Sequence, residues 1–182
     1  QAAVKAITEA GGELNVQLCQ MVNLMDNGEP VKMSKRAGTF VTLREVIDKV
    51  GKDVVRFIML TRKNDAQLDF DLTKVLEQSH DNPVFYVQYA YARINSVFRL
   101  LKLDLSKKIK LNERTFNLNQ HEIEILKKIS EWPRCIEISS NKLEPHRIPF
   151  YLYQLVTLFH AYWNLGKDNK EYRFISDNGN TN

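Results

Sequence analysis

Residues 83–102 carry the feature that most restricts how this chain can fold. Val87, Ala90, Tyr91, Ile94, Val97, Phe98 and Leu101 recur at spacings of three and four. That period puts them along one stripe of an α-helix and scatters them on any strand. Pro83 fits a first helical turn or marks a kink, because its missing N–H costs nothing there. Two more helices are predicted downstream. One covers residues 119–132, with Ile125, Leu126, Ile129 and Trp132 on a face. The other covers 145–163, with Ile148, Leu152, Leu155, Val156 and Phe159 on a face. The expected class is mainly α.

The part before this helix is more mixed. Residues 3–10 read as a short helix stopped by Gly11-Gly12, and residues 14–25 as a buried strand. Asp26-Asn27-Gly28 is a turn. Residues 31–41 form a polar loop with a short extended piece at 39–41. Thr42-Leu43-Arg44-Glu45 is a capping box, so a helix should run from 43 to 50 and stop at Gly51. Asp53 is expected to cap a helix over 54–61. Residues 64–71 read as a polar connector, with another helix starting near Leu72 or Thr73. Later, Lys107, Lys108 and Lys110 mark residues 103–118 as a linker. The tail from 166 to 182 is polar and is expected to be disordered. No internal repeat is present.

Composition narrows the class. Apolar residues are 43% and charged residues 26%, the balance of a soluble globular protein with a buried core. Lys plus Arg exceed Asp plus Glu by 26 to 22, a weak pointer to a nucleic-acid partner. Cys19 and Cys135 lie far apart with no Cys/His cluster, so no metal site and a reducing compartment are expected. No apolar run approaches the roughly 20 residues of a membrane span. No signal peptide precedes the fold, and the chain starts at Gln1, which reads as a fragment or a processed product.

The chemistry concentrates in residues 28–38. Lys32, Lys35 and Arg36 bring three cations within five residues, with the Ser34 hydroxyl between them and Gly38 free to bend. Ammoniums and backbone N–H groups together offer donors to several phosphate oxygens. An arbitrary Lys-x-x-Lys-Arg is more often a solvated basic turn.

The full word Lys32-Met33-Ser34-Lys35 resembles the signature loop of class I aminoacyl-tRNA synthetases, and its surroundings resemble the arginyl-tRNA synthetases. The matching words are residues 31–43, Gly51-Lys52-Asp53-Val54-Val55-Arg56-Phe57, Leu68-Asp69-Phe70-Asp71-Leu72, and residues 82–94 from Asn82-Pro83 to Arg93-Ile94. They come in family order. Arg36 stands where the general signature has a second Ser, as is common in arginyl and glutamyl enzymes. Residues 82–94 argue against a cysteinyl or glutamyl enzyme.

The resemblance covers residues 3–165 and is most specific up to Arg99. It implies that residues 1–82 form the C-terminal edge of a catalytic domain, with short strands, the signature loop and small helices. Residues 83–165 would be a truncated helical anticodon-binding domain of the DALR type. The implied activity is arginine–tRNA ligase: arginine and ATP, as its Mg2+ complex, give arginyl-adenylate, and arginine then passes to tRNA in the cytoplasm. Lys35, supported by Lys32, would contact the departing pyrophosphate as the catalytic pair, with Met33 and Ser34 completing the ATP-binding loop. The class also needs a His-x-Gly-His word, and none of His80, His121, His146 and His160 begins one. The chain alone is therefore expected to be inactive and to need the missing N-terminal half as a partner.

In the helical part, Tyr86, Tyr89, Tyr91, Arg93 and Arg99 interleave aromatics and cations, a pattern able to stack on unpaired bases. Tyr91 falls on the apolar stripe and is assigned to packing. Tyr89 and Arg93, four apart, are the tRNA-binding candidates. His160 in Phe159-His160-Ala161-Tyr162-Trp163-Asn164 reads as a structural histidine near a helix end. The resemblance is expected to stop near Asn164. Two other readings stand beside the ligase: a stand-alone tRNA-binding module without catalysis, and a helical protein–protein adaptor.

Overall fold

A computed structural model of the chain describes residues 2–12, 16–34, 38, 40–103 and 117–175. It is mainly helical with one small sheet. The elements in order are α1 (Ala2–Glu9), β1 (Val22–Asp26), β2 (Glu29–Pro30), α2 (Leu43–Val50), α3 (Lys52–Met59), β3 (Leu68–Asp71), α4 (Pro83–Leu100), α5 (Gln120–Ser130), α6 (Trp132–Asn141) and α7 (Arg147–Asp168), with single 3₁₀ turns at Lys74–Leu76 and Lys170–Tyr172.

The sheet has the order β2-β1-β3. β1 and β2 form an antiparallel hairpin through Asn27 (φ 52°) and Gly28 (φ 83°). Two successive left-handed residues are what a two-residue hairpin turn needs, and Asn-Gly supplies them at least cost. β3 runs parallel to β1, from Val22 opposite Leu68 to Met25 opposite Asp71. Phe70 on β3 is fully buried and centres a core of Val46 and Val50 from α2, Val55 and Ile58 from α3, and Leu68, Leu72, Val75 and Val84. Val84 lies in the first turn of α4, so that helix is rooted in the first core. Further along, Ala90 packs on Val156 and Phe159 of α7 to make a second core, flanked by Tyr86, Val87, Trp163 and Phe174.

The structure corrects several expectations. The strand expected over 14–25 is only β1, and Val16, Leu18 and Met21 before it are exposed. A strand extends as far as its partners offer backbone hydrogen bonds, and β3 is four residues long. β3 falls inside the polar connector expected over 64–71, where two of its four residues are acidic. Asp53 does not cap a helix: α3 begins at Lys52 straight after Gly51, and Asp53 falls in its first turn. Gly51, at φ 87°, ends α2 and turns the chain into α3 in a single step. The helix expected after Leu72 is one 3₁₀ turn. The Asn82 side chain takes the carbonyls of Val75 (2.9 Å) and Glu77 (2.8 Å) out of any longer helix.

Residues 119–132 end a helix at Ser130, and Trp132-Pro133 opens the unanticipated α6. Proline has no N–H to continue α5 but fits the first turn of a new helix. Tyr91 does not pack: it is 71% exposed. The face of α4 turned to α7 is Tyr86, Val87 and Ala90, and Tyr91 sits about 100° further round. α7 runs on to Asp168, which places His160 well inside it rather than near its end. Past Gly166 the chain folds back. Phe174 stacks on Trp163 (5.4 Å) and contacts Phe159 and Tyr162. Gly166 is buried there, and a Cβ on it would stand 3.0 Å from the Tyr172 carbonyl oxygen. Linker residues 104–116 and tail residues 176–182 lie outside the described residues.

Candidate functional site

The loop predicted to meet phosphates joins β2 to α2. On its incoming side, Val31 N–H donates to the Leu24 carbonyl (2.9 Å), so the hairpin ladder ends one residue before Lys32. Lys32, Met33 and Ser34 are exposed, and Lys32 forms no ion pair among the described residues. Lys35 and Arg36 lie outside the described residues, as does Thr39 of the short extended piece. On the outgoing side the capping box is formed. The Glu45 N–H donates to the Thr42 hydroxyl oxygen (3.2 Å), and the Thr42 N–H donates to the Glu45 carboxylate (2.6 Å). The backbone bond from Thr42, then its hydroxyl, hold the Glu45 carboxyl below its ordinary pKa.

Two carboxylates tie the base of this loop. Asp26, at the end of β1, accepts from the Thr73 hydroxyl (2.7 Å) and the Lys49 ammonium of α2 (3.3 Å). The Thr73 bond and then Lys49 depress its pKa. Asp71, at the end of β3, is buried and accepts four backbone N–H bonds: Gly28 (2.7 Å), Asn27 (3.2 Å), Thr73 (3.0 Å) and Lys74 (3.1 Å). Burial alone would raise its pKa, but the four donors together outweigh that and lower it. Neither carboxylate was singled out as a site residue. The pairing of a connector-like Leu-Asp-Phe-Asp with a distant Asn-Gly turn leaves no local spacing to detect.

On α4, Tyr89 and Arg93 do share a face, and α7 shares it with them. The Arg93 guanidinium lies 4.1 Å from the Tyr89 ring centroid and 5.1 Å from that of Trp163. It donates to the Tyr89 hydroxyl (2.9 Å) and to Nδ1 of His160 (3.0 Å). Arginine has donors only, so Nδ1 must accept and the His160 proton sits on Nε2. From there it donates to the Tyr86 carbonyl (3.1 Å). His160 is 3% exposed. Burial first, and the Arg93 charge as well, lower its pKa, against the opposing Tyr86 bond. Arg93 is thus half-buried and preorganised, while Tyr89 keeps 42% of its surface open. Tyr91 and Arg99 are exposed, and Arg99 donates to the Ser96 hydroxyl (3.1 Å). Among the described residues no cluster of three or more His, Cys, Asp or Glu could hold a metal, and no helix is long and apolar enough to cross a membrane.

Comparison with known proteins agrees with this layout. The profile of the DALR anticodon binding domain matches residues 87–181, past the Asn164 limit expected from the resemblance. The arginine–tRNA ligase of Ruegeria pomeroyi is 56% identical over 97% of this chain, which spans 31% of that relative. The arginine–tRNA ligase of Pelagibacter ubique is 51% identical over 96% of the chain and 30% of the relative. A crystal structure of a Campylobacter jejuni protein assigned as an arginyl-tRNA synthetase superposes with a TM-score of 0.71 at 33% identity, covering 81% of this chain and 32% of that one. The chain thus spans under a third of the length of the curated relatives it matches. With the helical domain matched by its own profile and both halves aligned to these ligases, the chain belongs to the arginyl-tRNA synthetase family.

Proposed function

We propose that the chain works as part of an arginine–tRNA ligase. In this reading residues 31–42 reach over Mg2+-bound ATP held by the rest of the catalytic domain, and the helical part contacts tRNA. The observation that carries the reading is the loop's placement. A signature word begins where a hairpin ladder ends, its first lysine is exposed, and a capped helix rooted in the core receives its far end. When arginine attacks the α-phosphate, charge gathers on the departing pyrophosphate, and a cation held at that point stabilises the transition state more than the ground state. Lys35 makes that contact, Lys32 supports it, and Ser34 with Met33 shapes the loop. No covalent enzyme intermediate is required. Tyr89 offers a ring for an unpaired base to stack on, and Arg93 keeps the ring in place.

The test needs a complete catalytic domain. This chain, joined as one polypeptide to the remaining two thirds of the Ruegeria pomeroyi ligase, is expected to show arginine-dependent ATP–pyrophosphate exchange when assayed with arginine tRNA present. Lys35→Ala should lower that exchange by on the order of a hundredfold, and Lys32→Ala by less. Exchange unaffected by Lys35→Ala would remove the loop from the mechanism. The unjoined chain, given ATP, arginine and tRNA, is expected to form no arginyl-tRNA, and turnover would contradict this assignment.

A further inference from the structure

We propose that Asp71 is the positioning residue of the signature loop, acting through the Asn27-Gly28 turn to set where Lys32 and its neighbours stand. This rests on the reading of that loop as the pyrophosphate contact. The hairpin carrying the loop is too small to hold itself. Its ladder pairs only Met25 with Pro30 and Asp26 with Glu29, and Pro30 has no N–H to give. An isolated two-stranded hairpin is marginal even when longer.

Asp71 supplies what the ladder lacks. Its carboxylate takes both N–H groups of the turn, at 2.7 Å from Gly28 and 3.2 Å from Asn27. It also takes those of Thr73 and Lys74, which anchor it to the segment leading to α4. No cation pairs with it among the described residues. A buried charge so compensated has little freedom to move. The register leaves it no other place either. Met25 stands opposite Asp71, and the Leu72 N–H closes onto the Met25 carbonyl at 2.9 Å.

From Gly28 the chain has four residues to Lys32, three of them fixed by the ladder and by the Val31–Leu24 bond. The helix that receives the far end of the loop is tied to the same place through its last turn, because Lys49 of α2 binds Asp26, and Asp26 accepts the hydroxyl of Thr73. Asp71 touches no nucleotide. It fixes the platform from which the lysines reach.

Asp71→Asn tests this, since an amide keeps one acceptor oxygen and turns an NH2 group toward the donors. In the unjoined chain, amide hydrogen exchange at Asn27, Gly28 and Val31 should quicken at least tenfold. In the fusion with the Ruegeria pomeroyi portion, kcat for pyrophosphate exchange should fall by tens of times, as small misplacements of reacting groups do. Single-turnover transfer from preformed arginyl-adenylate to tRNA, which no longer needs the pyrophosphate contact, should change less than about twofold. Val55→Ala, a core change of comparable thermal cost, should leave the exchange kcat alone. Asp71→Glu, which restores the charge, should recover part of the loss. Equal loss in both half-reactions, or unchanged amide exchange in the turn, would overturn the proposal. A wild-type fusion without pyrophosphate exchange would instead sink the ligase reading, and the amide measurement on the unjoined chain would still decide the positioning role.

Discussion

Replacing Phe70 by alanine is expected to cost about 3–5 kcal/mol of stability in the N-terminal half, the range for removing a large aromatic from a packed core. Phe70 has no exposed surface and is the one side chain among the described residues that is both large and fully buried. It sits in the middle of β3 with α2 and α3 packed around it. Nothing there can collapse cheaply into the space, because β3 is held on one side by β1 and ends in the bound carboxylate of Asp71. A domain of this size has roughly 5–15 kcal/mol in total, so the loss would bring the sheet, α2 and α3 close to unfolding at room temperature. The second core around Ala90, Val156 and Phe159 is a separate cluster, and its helices should stay folded. Urea unfolding of the variant followed by circular dichroism should therefore split into two transitions, with the earlier one shifted. A loss below about 1 kcal/mol would mean that the core is not organised around this residue.

The elements that sequence reasoning found are those whose cause is local. The Thr42–Glu45 box, the Asn27-Gly28 turn and the stripe on α4 each rest on residues within a turn or two of one another, and each formed. The elements it missed are those whose cause is distant. Leu-Asp-Phe-Asp is a strand because β1 lies beside it, 46 residues away, and Asp71 faces inward because a remote turn offers it donors. α6 was hidden because Pro133 reads locally as a stop, while the new helix is stabilised by packing on α7, including the Tyr151 and Trp132 rings at 5.0 Å. Tyr91 was misassigned because the stripe is wider than the contact: α7 covers only the part centred on Ala90. The candidate site divides the same way. The signature word and its first lysine were legible as a linear motif. The carboxylates that hold it, and the Arg93–His160 contact across two helices, became visible only with the fold.

The α4–α7 contact should carry a titration of its own. His160 is neutral in the fold, with Nδ1 accepting from Arg93 and Nε2 donating to Tyr86. The groups facing it are Arg93, Tyr86 and Tyr89 of α4 and Phe159 of its own helix. No carboxylate among the described residues bonds to it or stacks on it to welcome a proton. Protonation would turn the acceptor Nδ1 into a donor aimed at a guanidinium, and would put two positive charges about 3 Å apart in a buried place. The folded pKa is accordingly lowered, so below the unfolded value of about 6.5 the unfolded chain binds more protons than the folded one. Stability from this group is complete above that value. It declines as pH falls toward the folded pKa, by up to about 1.4 kcal/mol per pH unit. The depressed carboxylates Asp26, Glu45, Asp71 and Glu144 add their own acid loss only below about pH 5, so the window from pH 6.5 to 5 isolates histidines. His160→Gln keeps an acceptor and a donor at the two positions but cannot titrate. It should flatten the fall in melting temperature across that window. His160→Ala should cost about 3 kcal/mol at pH 8, from the lost bonds and the cavity. If His160→Gln follows the parent slope from pH 6.5 to 5, the Arg93–His160 contact is not where the proton is refused.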